Sequence, residues 1–96
     1  MLSFDFESNL EELKDLQIDH QYSVNFLQNC TTDEYLDSAK NLAQRIKLTI
    51  LEPIEKSIDI CKKVTENGVE NFPVVLLIKW INEIEHALHN GGIFDE

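Results

Sequence analysis

The chain has 96 residues, 43% of them hydrophobic, which suits one domain with a modest core and argues against disorder. Its net charge of −10 disfavours direct nucleic-acid binding, because neutralising phosphates needs a basic face. No apolar run approaches the roughly 18 residues of a membrane-spanning helix, so no membrane span is expected.

The first element begins in "FDFESNLEELKD". Phe4 and Phe6 alternate with Asp5 and Glu7, and Phe6 stands just before a capping box formed by Ser8 and Glu11. That spacing predicts a short helix from Ser8 to about Ile18, with Leu10, Leu13 and Leu16 on its apolar side. Phe6 is placed to staple onto it, and docking of the acidic, aromatic start into a partner groove is the other reading.

From Asp19 to Cys30 two periodicities compete. Tyr22, Val24 and Phe26 alternate as in a strand, while Tyr22, Phe26, Leu27 and Cys30 form a helical stripe. A lone strand would have no partner elsewhere in this sequence, so a second helix is expected.

Thr31 and Glu34 repeat the capping-box spacing and open the clearest element. Leu36, Ala39, Ala43, Ile46, Ile50, Ile54, Ser57, Cys61 and Val64 then follow in steps of three and four. Pro53 falls inside this run. A proline costs roughly 3 kcal/mol in a helix interior, yet it suits a helix's first turn. The long helix is therefore kinked or broken there, and the unbroken apolar phase favours the kink. Asn67-Gly68 carries the signal of a helix end.

Asn71 and Pro73 are placed to open the last helix and "HNGG" to close it. Val74, Leu77, Ile78, Ile81, Ile84 and Leu88 make its apolar face, widened by Val75, Leu76 and Trp80. The sum is an all-α chain: an antiparallel bundle of four to five helices forming one domain over residues 1–96. The termini, about 1–5 and 90–96, are expected to fray.

Two histidines and two glutamates crowd into this last helix. Glu83-x-x-His86 is the spacing that carboxylate-bridged di-iron bundles use for two ligands, but a second such motif is absent and the wheel turns this pair outward. No metal or cofactor is expected. Glu85 falls near Val74 and Ile78, inside or bordering the apolar stripe, with His89 one turn on. A carboxylate there must be paired, protonated or placed at an open edge. Trp80, Glu85 and His89 are thus possible interface residues. Elsewhere the chain has no nucleophile elbow, no Cys-x-x-Cys and no phosphate-cradling glycine loop, so no enzymatic activity is expected.

Charge is distributed unevenly. Residues 1–37 hold nine acids against Lys14 alone, a charge of −8, whereas residues 38–66 sum to +2. In size, acidity and helicity the chain resembles the small bacterial immunity proteins that neutralise basic nuclease toxins, although no motif is shared. That resemblance implies an inhibitor or antitoxin covering a cationic cleft with Glu11, Glu12, Asp15, Asp19, Asp33, Glu34 and Asp37. The alternative is a small adaptor, chaperone or regulator that binds through apolar helix faces as a homodimer. The start lacks the basic, apolar pattern of a signal peptide, so reduced Cys30 and Cys61 and a cytoplasmic location are expected.

Overall fold

The computed structural model describes residues 3–92. Every regular element among them is helical: α1 (Phe6–Gln28), α2 (Leu36–Ile46), α3 (Glu52–Asn67) and α4 (Val74–Gly91), with short 3-10 turns at Asp33–Tyr35 and Val69–Asn71. A π turn, Lys47–Leu51, joins α2 to α3 without interruption. The backbone stays in the right-handed helical region at Ile46, Lys47, Leu51 and Glu52. Among the described residues the helices make three rods rather than the four to five helices expected.

Two physical causes account for the difference. The helix does not start at Ser8, because Asp5 is the residue that caps it. Its Oδ1 accepts the Ser8 amide at 3.0 Å, and Ser8 Oγ donates to Asp5 Oδ2 at 2.8 Å. Ser8 thereby becomes an interior residue, and nothing at Asp19 breaks the run, so the two expected N-terminal helices fuse into one of 23 residues. The capping box at Thr31 also fails to cap: Thr32 precedes the 3-10 turn without a side-chain bond, and α2 opens at Leu36.

Pro53 neither breaks the long rod nor leaves a loop. Its ring removes one amide donor, and the preceding turn widens so that the Glu52 amide reaches back five residues to the Lys47 carbonyl. Thr49 Oγ1 donates to the Arg45 carbonyl at 2.7 Å within the same turn.

The short turns fold each rod back along the one before. The core is formed by Leu13 and Val24 of α1, Ala43, Ile46, Ile50 and Leu51 around the π turn, Ile54, Cys61 and Val64 of α3, and Leu77, Ile84 and Ala87 of α4. Phe4 packs edge-on against buried Phe6 with centroids 4.8 Å apart, and Gly91 is buried at the end of α4. Residues 1–2 and 93–96 lie outside the described residues.

The rods differ in length, and one end of the first hairpin is left uncovered as a result. At 1.5 Å per residue, the joined α2–α3 rod is about 48 Å long and α4 only about 27 Å. Since α4 starts beside the end of α3, its last turn reaches only the middle of α1, where the His20 ring meets the Gly91 carbonyl. Beyond that point α1 and α2 form a two-helix hairpin with no third rod over it among the described residues.

Candidate protein-binding surface

The uncovered hairpin opens into a groove of about 620 Å³ between α1 and α2, closed at one end by Gly91. Leu16, Leu27, Leu42 and Ile46 contribute its apolar walls, and Tyr22 and Phe26 rise along its α1 side. Both aromatics are strongly exposed, at 74% and 72%. They also border a second hollow of about 610 Å³ that reaches Cys30, Thr31 and Thr32, so they stand as a ridge between two depressions.

The phase of α1 explains their position. Phe6, Leu13, His20 and Val24 are its buried residues, and they repeat at helical spacing along one side. On a wheel of 100° per residue, Asp15, Asp19, Tyr22 and Phe26 cluster on the opposite side. Of the expected helical stripe, Tyr22 and Phe26 therefore face outward, while Leu27 and Cys30 are half-buried. Splitting α1 into two helices concealed this. Carrying the phase of Leu13 forward by seven residues to His20 would have turned both rings outward.

All seven carboxylates proposed from the charge pattern are exposed. Glu11, Glu12, Asp15 and Asp19 precede the aromatic ridge along α1, while Asp33 and Glu34 lie in the 3-10 turn beyond it and Asp37 in the first turn of α2. Among the described residues only one of the seven, Glu11, has an ion-pair partner, Lys14 at 3.8 Å. The arrangement is an apolar centre with acidic groups at both ends.

The α4 residues are placed differently from expectation. The buried line of this helix is Leu77, Ile84, Ala87 and Gly91, rotated away from Val74 and Ile78. Glu85 and His89 are consequently exposed, and Glu85 needs no buried partner. Glu83, expected to face solvent, is half-buried: its Oε1 lies 3.4 Å from Lys56 Nζ, and its shielded Oε2 has no hydrogen-bond partner among the described residues. Trp80 packs edge-on against Phe72 with centroids 5.2 Å apart, and the Lys63 ammonium sits 5.8 Å from its ring. Half-buried, it links α4 to Lys63 of α3.

No three His, Cys, Asp or Glu side chains among the described residues come together as a metal site. Cys30 and Cys61 are free thiols, and burial pushes that of Cys61 up to about 11. No described helix is long and apolar enough to cross a membrane. No family model, curated protein or solved structure matches the chain.

Proposed function

We propose that this chain is a non-catalytic protein-binding module of the cytoplasm, an acidic inhibitor of the immunity or antitoxin type that neutralises a basic partner such as a nuclease toxin. The observation that supports this reading is the set of exposed carboxylates, six of the seven without an ion-pair partner among the described residues, at both ends of an exposed aromatic pair. A cationic substrate cleft complements them in charge, and covering that cleft excludes the nucleic acid. Charges of this kind steer encounter, so association is fast at low salt and slows as salt screens it.

The test begins with co-purification from the native host, washed in parallel at low and high salt. The association rate of whichever basic partner is recovered is then measured against a variant carrying Glu12→Lys, Asp15→Lys and Asp19→Lys. Association slowed by at least about tenfold with helicity intact is the expected result. An unchanged rate rejects the reading.

A second reading has its own support. Val74, Val75 and Ile78 expose an apolar patch at the start of α4, with Val75 80% exposed. Such a patch suits a dimeric adaptor, chaperone or regulator. A concentration-dependent mass of about 22 kDa, twice the 11.1 kDa of the chain, together with salt-resistant binding, would favour it.

A further inference from the structure

We propose that the groove between α1 and α2 receives an amphipathic helix of the partner, with apolar residues seated against Tyr22 and Phe26 and basic residues meeting the carboxylates at either end. This rests on the reading of the acidic face as the surface for a basic protein, and it adds the form of the recognised element and the residues that anchor it.

The groove arises from a mismatch of lengths. α4 stops at Gly91, and the hairpin beyond it retains an apolar seam that a third helix would cover. Val24 and Ala43 are buried there, but Leu42 remains 43% exposed and Leu27 is only half-buried. The natural occupant continues the packing that α4 begins. Asp15 to Gln28 spans about 20 Å along α1, the length of a helix of about four turns.

Backbone chemistry also favours a helix. The described residues include no strand, so the groove offers no sheet edge to which an extended peptide could add its amides and carbonyls. A segment entering an apolar groove must satisfy its own backbone groups, and a helix does so internally. Tyr22 and Phe26 lie one turn apart on α1, and partner side chains one turn apart can interlock with them.

Charge selects the partner over a second copy of this chain. Symmetric pairing through this face would bring two sets of the same carboxylates together, on chains of net charge −10 each. A helix with lysine or arginine beside its apolar stripe matches the acidic ends instead. An apolar centre with a charged rim is the usual anatomy of a protein interface, and buried aromatics dominate its energetics.

The probes are two synthetic 18-residue peptides of identical leucine and lysine content. One places its leucines along one helical face, and the other disperses them around the helix. Binding to the full chain is measured by calorimetry at low and moderate salt and mapped by amide chemical shifts. The amphipathic peptide is expected to bind at least about tenfold tighter than its isomer, with shifts concentrated around residues 16–28 and 38–46. Combining Tyr22→Ser with Phe26→Ser, both at exposed positions, removes that advantage and leaves the weaker, salt-sensitive binding shared by the two peptides.

Equal binding of both peptides overturns the helix proposal and leaves the acidic-face reading standing. Failure of both peptides to bind rejects the two together. Preferred binding that maps to Val74, Val75 and Ile78, or that survives the double substitution, also overturns the proposal. So does a dimer of the free protein abolished by that substitution. If the full chain binds no peptide while deletion of residues 93–96 shifts the groove amides, the groove belongs to the chain's own end and the proposal falls.

Discussion

The ring of His20, buried in the middle of α1, meets the backbone carbonyl of Gly91 in the last turn of α4, across 71 positions of sequence. A carbonyl can only accept, so Nε2 carries the proton and donates. This bond fixes where α4 ends against α1 and therefore where the groove begins. His20→Leu keeps the apolar bulk but leaves the Gly91 carbonyl without its donor. Expected is a loss of about 1–3 kcal/mol in urea unfolding, with His20→Gln recovering part of it. A loss below about 0.3 kcal/mol for His20→Leu would mean that the contact adds nothing to stability.

The turn between α3 and α4 depends on one glycine. Gly68 has φ of 86° and ψ of 137°, and its amide donates to the Val64 carbonyl at 2.8 Å to close α3. A side chain rarely adopts that backbone, and an added Cβ would also lie 2.6 Å from Glu70 Oε1. The carboxylate can swing away, whereas the backbone conformation cannot change without moving α4. Gly68→Ala is expected to cost about 1–3 kcal/mol, read as a lowered Tm. Adding Glu70→Ala should recover little, because the steric contact is the smaller part of the penalty.

Much of the helical content was legible in local patterns. The run from Leu36 to Val64 kept one apolar phase through Pro53, and the rod is continuous there. What the sequence concealed was how the N-terminal segment joins up. Asp5 and Ser8 are both capping residues, and the choice between them rests on which side chain meets which amide. Choosing Ser8 misplaced only the start of α1. Ending that helix near Ile18, where Tyr22, Val24 and Phe26 alternate as in a strand, split it and obscured the outward direction of Tyr22 and Phe26. The acidic residues were legible because charge pattern needs no tertiary information. The groove was not, since it results from α4 ending opposite His20, a register that only packing sets. The partial burial of Glu83 was hidden for a similar reason: it lies on the flank of the apolar stripe, where a modest rotation of α4 decides between core and solvent.

The two cysteines should behave differently toward thiol reagents. Cys61 is fully buried, and burial raises its thiol from 9.0 to about 11, whereas Cys30 is half-buried at the end of the first hairpin. In folded protein near pH 8, an aromatic disulfide reagent is expected to modify about one thiol per chain, at Cys30, and the second only on unfolding. Alkaline pH should also weaken the fold. Between pH 9 and about 11 the unfolded chain releases the Cys61 proton while the folded chain retains it, so stability falls as pH rises through that window. Cys61→Ala should flatten this part of the profile. An unchanged slope would assign it to other groups.

Glu83 is held at the α3–α4 interface with one carboxylate oxygen near Lys56 Nζ and the other shielded, without a hydrogen-bond partner among the described residues. Lys56 is largely exposed, so the pair contributes only a few tenths of a kcal/mol, and Lys56→Ala should change stability by less than about 0.5 kcal/mol. Glu83 differs because a shielded, unpartnered oxygen carries a desolvation cost. Glu83→Gln keeps the shape, removes the charge, and lets the side-chain amide turn a donor toward the enclosed site. Thermal unfolding is expected to show equal or greater stability for Glu83→Gln, by up to about 1 kcal/mol. A loss of more than about 1 kcal/mol would show instead that the carboxylate is held by a stronger interaction than its 3.4 Å contact with Lys56.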